Sequence, residues 1–453
     1  MNESARQATR IDAIGGRFDG WLLAIACALG CVGVVMVGSA SIAIAVDYGV
    51  GPFHYLVRHG MFLALGTALA VWVMRTELKT IEHHGQWLLL GCFALLIAVF
   101  VPGLGSEVNG ARRWVNLGVS GFQAVEAVKL LLIVWLASYL KRYSDEVTAT
   151  WKAMLKPIGA VLVMVALLLA QPDFGSASLL LAITGGMLVL GGVNMPRMFG
   201  PMLLLLPVLA VIAIAEPYRM RRLTSFLDPW ADPFNAGYQL TNALMAVGRG
   251  EWFGVGLGGS VQKLSYLPEA HTDFILAVIA EEFGFFGVCV VIALFAGLVG
   301  RALWLGLQCV RMRRHFAGYC AFGIALWVGL QSFVSIGVNL GLLPTKGLTL
   351  PLISSGGSSA LMTCMAMGLL LRVSYELDRA RRQVALLRGE TPPVAASAPA
   401  TADTPAAPAP LRGRKRRDGN PVAEPALDMP APVASRGTSR LRQRVEPTLG
   451  GLA

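Results

Sequence analysis

Charge is scarce in this sequence and unevenly placed. Only 14% of its 453 residues are Asp, Glu, Lys or Arg, and the stretch from Gly20 to Val46 carries none. With 55% hydrophobic residues and a mean hydropathy of +0.61, the composition excludes a soluble domain of this length. The formal net charge of +11 gathers in tails and loops, so it does not mark a nucleic-acid surface. A paired-cysteine framework is missing as well. The seven cysteines, Cys27, Cys31, Cys92, Cys289, Cys309, Cys320 and Cys364, lie in or beside apolar runs, with no CxxC pair and no His at metal spacing. They read as small buried hydrophobes. No GxxxxGK[ST] pattern occurs, which argues against nucleotide-driven work.

Apolar stretches of about 17 to 25 residues between polar breaks are what the sequence has in abundance. They fall near 20–46, 56–74, 86–103, 121–140, 154–170, 174–193, 198–215, 272–299, 316–341 and 356–373. The first is long enough to span a bilayer, so it reads as a retained helix and not a cleaved leader. The expected fold is an all-α polytopic membrane protein of about ten transmembrane helices, with a large extracytoplasmic loop at 216–271 between helices 7 and 8. Residues 1–19 form an N-terminal tail and 20–380 the helical domain. Residues 381–453, rich in Pro, Ala and Thr with a basic cluster from Arg412 to Arg417, are expected to be a disordered tail. Lys and Arg concentrate in alternate short loops, among them Arg75, Lys79, Lys141, Arg142, Lys152, Arg311, Arg313 and Arg314, which places both termini in the cytoplasm. The large outer loop is itself basic, with Arg219, Arg221, Arg222, Arg249 and Lys263, a hint of an anionic ligand.

That loop ends in Gly254-Val255-Gly256-Leu257-Gly258-Gly259-Ser260 and runs through His271-Thr272-Asp273 directly into an apolar helix. Asp273 therefore sits at the membrane surface, either as a helix cap or as a functional carboxylate. The glycines suit a hinge or a phosphate cradle. Glu126 and Lys129 stand three residues apart inside an apolar run, where they can pair on one helix face, as a structural ion pair or as part of a site. Glu281 and Glu282 lie about two turns into the helix that Asp273 opens, and at least one is expected to face the interior. Between Leu343 and Ser359 a lysine, hydroxyls and paired glycines permit either close backbone approach to an anion or tight re-entrant packing. Gln171-Pro172-Asp173 reads as a turn, and the two runs beside it can also be taken as one broken segment.

At these residues the chain resembles the SEDS family (shape, elongation, division and sporulation), from Leu22 to about Arg372. The segments that carry the resemblance are Gln262-Lys263 through Glu269, His271-Thr272-Asp273-Phe274-Ile275, Gln171-Pro172-Asp173-Phe174-Gly175 and the Pro344 to Ser359 stretch. Val35 to Ser41 and Lys346-Gly347-Leu348-Thr349-Leu350-Pro351 look like the division members of the family more than the elongation members. The chain departs from the family at Gln123-Ala124-Val125-Glu126, where Gln-Pro-Ser-Glu is common. The resemblance implies a ten-helix enzyme of the bacterial inner membrane, at the division septum, that polymerises lipid II into glycan strands with a cognate class B penicillin-binding transpeptidase and other divisome proteins. It also implies that Asp273 is the essential carboxylate.

On this reading Asp273 is the general base for an acceptor hydroxyl. Lys129, Lys263, Lys346 and Arg219 or Arg249 are the candidates for the leaving diphosphate, with Glu126 orienting Lys129. Gln171, Asp173, His271, Ser355 and Ser358 are candidates for lining the cavity. A divalent cation such as Mg2+ can share the charge, although nothing has a convincing metal-ligand spacing. The rival readings are a lipid II flippase, which would use the same wet cavity without bond formation, and a non-catalytic divisome scaffold.

Overall fold

The computed structural model describes residues 15–388, apart from 109, 117, 119, 120 and most of 194–216. These belong to a unit that runs from Met1 to Val394, and the second unit, Ala395–Ala453, lies outside the described residues together with the basic cluster at 412–417. The seventh expected span, 198–215, is likewise mostly outside them.

The other expected spans are helices. In chain order the described elements are α1 (Gly20–Asp47), α2 (His54–Arg75), α3 (Leu78–His83), α4 (Gly85–Ala98), β1 (Gly105–Val108), β2 (Ala111–Asn116), β3 (Gly121–Gln123), α5 (Ala124–Arg142), α6 (Ser144–Ala149), α7 (Trp151–Ala170), α8 (Phe174–Leu190), α9 (Pro217–Leu227), α10 (Tyr238–Gly250), α11 (Ile275–Arg311), α12 (His315–Asn339) and α13 (Gly357–Leu387). Six of them, α1, α2, α7, α11, α12 and α13, are long and apolar enough to cross a membrane; α4 and α8 are shorter apolar helices. The apolar windows of α1 and α2 are only 28% and 17% buried, while those of α12 and α13 are 67% and 72% buried. The first pair is therefore peripheral, with Trp21 and Trp72 exposed on its surface, and the second pair forms the centre. Close approach between α2 and α13 depends on Gly368, where a Cβ would lie 2.6 Å from the Ala70 carbonyl oxygen.

Two differences from the sequence reading bear on the site. The run expected as helix over 121–140 begins as helix only at Ala124, because β1, β2 and β3 form an antiparallel sheet ahead of it. The sheet's Val115 packs with Val99 and Ala124 in a small core of its own. At the other end, α13 continues past Ala380 to Leu387, held by Arg382 on Asp378 (2.7 Å) and Arg381 on Gln308 (2.7 Å), so the C-terminal tail starts later than composition suggests.

Helix α11 is broken. Gly284 has φ 65° and ψ −161°, and the backbone groups freed there are taken up by the preceding loop. Phe285 N–H donates to the Glu251 carbonyl (2.9 Å), while Val255 and Gly256 N–H donate to the carbonyls of Glu281 and Glu282 (3.0 Å each). Only glycine fits at the crossing, since a Cβ on Gly284 would sit 2.4 Å from the Gly254 nitrogen.

Candidate active site

Asp273 is two residues ahead of α11, and it does not cap that helix. The capping work falls to Asn339, at the end of α12: its Oδ1 accepts Ala277 N–H (3.0 Å), and its Nδ2 donates to the Asp273 carbonyl (2.9 Å). Among the described residues no donor hydrogen-bonds the Asp273 carboxylate, which is half-buried. The loop between α12 and α13 is sewn to the same segment. Ser354 Oγ donates to the Thr272 carbonyl (2.6 Å) and accepts Leu350 N–H (2.8 Å), and Ser355 N–H donates to the His271 carbonyl (2.9 Å). Gly347 passes so close that a Cβ there would stand 3.2 Å from Asp273 Oδ2.

Burial pushes the Asp273 carboxyl up to about 7; the charge of Glu269 adds to the rise, and Arg222 and Arg113 oppose it. Those two arginines come from distant elements. Arg113, on β2, donates from Nε to the Gln171 carbonyl (3.3 Å), and Arg222, on α9, donates to the Thr345 carbonyl (3.0 Å). Lys346 is half-buried with its ammonium 5.2 Å from the Phe174 ring centroid, and burial lowers its pKa. His271 packs on Tyr55 with ring centroids 4.8 Å apart; burial lowers its pKa, against the raising charge of Glu269. The Asp273 carboxylate thus stands in the field of Arg222 and Arg113, with Lys346 adjoining the Gly347 backbone that passes it.

The structure brings together Asp273, His271 and Lys346 from the sequence candidates, and adds Arg113 and Arg222, which the sequence reading did not select. It does not bring Lys263 or Arg249 there. Lys263 Nζ donates to Glu282 (2.7 Å) and Ser39 (2.8 Å), and Arg249 donates to Glu281 (2.8 Å). Glu281 also accepts Ser260 Oγ and the N–H groups of Val261 and Gln262. Both cations are latched to the broken helix. Two buried carboxylates in one apolar segment need such partners, and these cations meet that need.

Glu126 and Lys129 pair at 2.8 Å, fully inside the bundle, and Lys129 also donates to Gln331 (2.7 Å). Gln331 in turn donates to the Thr349 carbonyl (2.8 Å), so the pair anchors the α12–α13 loop from within. Asp173 caps α8 through Ser176 N–H (3.1 Å), which separates α7 from α8 as two helices, and Gln171 donates to the Leu96 carbonyl (3.0 Å). Ser358 accepts Gln123 N–H (2.9 Å). These side chains have structural partners around the site. The Arg219 side chain lies outside the described residues.

The family described as Cell cycle protein, which takes in FtsW, RodA and SpoVE, matches residues 20–379. The chain belongs to the SEDS family. Among its relatives, a protein of Xanthomonas oryzae named as a probable peptidoglycan glycosyltransferase FtsW is 62% identical, over 100% of this chain and 94% of the relative. A protein of the same name from Legionella pneumophila is 47% identical over 79% of this chain and 91% of its own length. Two SEDS-like solved structures share the fold. One is a chain of a peptidoglycan synthase complex that coordinates polymerization and crosslinking (TM-score 0.66, 32% identity, 80% of this chain and 98% of that one). The other is the rod shape determining protein RodA of Thermus thermophilus (TM-score 0.58, 29% identity, 79% and 96%). As a SEDS member with these helices, the chain is a multi-pass membrane protein involved in division.

An Asn339→Leu substitution tests the division of labour between Asn339 and Asp273. It strips the first turn of α11 of its acceptor and the Asp273 carbonyl of its donor, so thermal unfolding in detergent is expected to show a loss of about 1–3 kcal/mol. An unchanged melting temperature would show that Asn339 does not hold this turn.

Proposed function

We infer that this chain is a peptidoglycan glycosyltransferase that polymerises lipid II into glycan strands for septal wall synthesis, with Asp273 as its general base. The observation that carries the reading is a carboxylate with no hydrogen-bond donor among the described residues, desolvated to a pKa of about 7 and flanked by Arg113 and Arg222. Asp273 takes the proton from the 4-hydroxyl of the acceptor sugar as that oxygen attacks the anomeric carbon of the donor; the bond to undecaprenyl diphosphate breaks, with inversion. Diphosphate is a good leaving group and needs its charge met more than it needs a proton. Arg113, Arg222 and Lys346 are the groups placed to meet it. A resident divalent cation is poorly accommodated. The Asp273 carboxylate faces Arg222 and Arg113, and no group of three or more His, Cys, Asp or Glu that can hold a metal occurs among the described residues. No step is routed through one.

The chemistry belongs on the periplasmic face of the inner membrane, with both termini in the cytoplasm, and the partner is a class B penicillin-binding transpeptidase. Relatedness to a chain from a polymerising and crosslinking complex supports that pairing. The test is polymerisation of lipid II by the purified chain with its transpeptidase, followed across pH. Only the ionised carboxylate accepts a proton, so the rate is expected to rise with pH and level off above about 7. Glu269 raises that midpoint, so Glu269→Gln is expected to move it acidward. A flat profile between pH 5.5 and 8.5 would remove Asp273 from the base's role.

A further inference from the structure

A cleft of about 470 Å3 lies between α1 and the loop that straps the break in α11. Its volume is that of a small-ligand site, about 300–1,000 Å3. Helical spacing builds one wall. Val35, Ser39, Ile42 and Ala43 recur on one side of α1, while Met36, Val37, Ala40 and Ser41 turn into the bundle. Leu257, Gly258 and Leu264 form the other wall, and Lys263 closes the end beside Ser39. That polar end is satisfied from within: Ser39 Oγ donates to Glu282 (2.7 Å) and accepts from Lys263 Nζ (2.8 Å), which itself donates to Glu282 (2.7 Å). What the cleft offers a ligand is therefore apolar, and Val35, Ile42, Leu257 and Leu264 stay exposed around it.

Depth in the bilayer selects the ligand. Helix α1 has 28 residues, about 42 Å at 1.5 Å per residue, which matches a bilayer with its headgroup regions, about 40–45 Å. With Trp21 exposed at one end, Asp47 at the other lies at headgroup depth. Val35, twelve positions earlier, is about 18 Å deeper, close to the thickness of one hydrocarbon leaflet, about 15 Å. One acyl chain whose headgroup rests at Asp47 fills that length. Charge then chooses among headgroups. Asp47 is exposed, accepts Ser265 Oγ from the residue next to Leu264, and has no ion pair among the described residues. The nearest cations of the loop are engaged, Lys263 on Glu282 and Arg249 on Glu281. The mouth thus attracts an ammonium and repels a lipid of net negative charge. We propose that this cleft is a structural lipid site, which seats one acyl chain of an amine-headed zwitterionic phospholipid with its ammonium on Asp47. The seated chain braces the 254–264 loop against α1, and this role is independent of the glycosyltransferase reading.

The probe is phosphatidylethanolamine with a photoreactive diazirine at mid-chain, added to the full chain in maltoside micelles, irradiated and mapped by mass spectrometry. Wild type is expected to be labelled within 35–43 and 257–264, about tenfold more than with the matching phosphatidylglycerol probe. Asp47→Asn should make the two probes label alike, and Ala43→Trp, which fills the slot, should lose the label at 257–264. Unlabelled phosphatidylethanolamine is expected to raise the wild-type melting temperature by several degrees and to slow proteolysis of the loop, and to do neither for a folded Ala43→Trp. Labelling outside the cleft, or equal labelling of wild type by both probes, would overturn the site. So would displacement of the probe by an equal concentration of undecaprenyl diphosphate, which would assign the cleft to the substrate lipid.

Discussion

Asp273→Asn is expected to lower lipid II polymerisation by about 10²- to 10⁴-fold, the range a positioned general base contributes, without unfolding the protein. Asn is nearly isosteric with Asp. The carboxylate it replaces gives up no hydrogen bond among the described residues, because Asn339 already serves the helix terminus. Stability moves in the opposite direction to activity. A carboxyl whose pKa is raised in the fold from 3.8 to about 7 keeps its proton more readily folded than unfolded, so its ionisation penalises the native state progressively as pH rises through that window. Above pH 7 the Asn variant is therefore expected to melt at or above the wild-type temperature, and below about pH 4 the difference should vanish. A dead enzyme that is at least as heat-stable as its parent separates chemistry from folding. If Asp273→Asn polymerises normally, the base assignment fails; if wild type with its transpeptidase also makes no polymer, the flippase and scaffold readings return.

How much of this was legible beforehand depends on whether the signal is local. Position alone leaves Asp273 open between helix cap and functional carboxylate, and it is the SEDS resemblance that singles it out, whereas the spacing of Glu126 and Lys129 by itself predicts the pair seen at 2.8 Å. Arg113 and Arg222 gave no such sign. Each reaches the site by tertiary approach, one from a sheet and one from a short helix in a basic loop where any of several arginines was an equal candidate. The sheet itself has a local marker in the hairpin dipeptide Asn109-Gly110, set in a stretch whose other glycines suggest a plain loop. Asn339 was hidden because its role exists only once α12 meets α11. Lys263 and Arg249 pair with Glu282 and Glu281 for a reason the sequence also holds: two adjacent glutamates in an apolar helix require two cations, and the nearest are in the loop just before it.

That pairing makes the second large prediction. Glu282 is fully buried, Lys263 nearly so, and with Ser39 they close a small network over the break at Gly284. Glu282→Ala leaves a buried ammonium with one hydroxyl for company, and removing one partner of a buried pair costs about 3–5 kcal/mol. Thermal unfolding of the single variant in detergent is expected to show this loss, with limited proteolysis cutting the 254–264 loop faster. The double variant Glu282→Ala, Lys263→Met should recover most of it, because removing both charges removes the unmet one; the coupling between the two substitutions is the quantity to measure. If Lys263 instead served the diphosphate and its ion pair were incidental, Glu282→Ala would melt like wild type and Lys263→Met would lose polymerisation with the fold intact. The latch predicts the converse: Lys263→Met destabilises first, and any loss of polymer follows the melting curve.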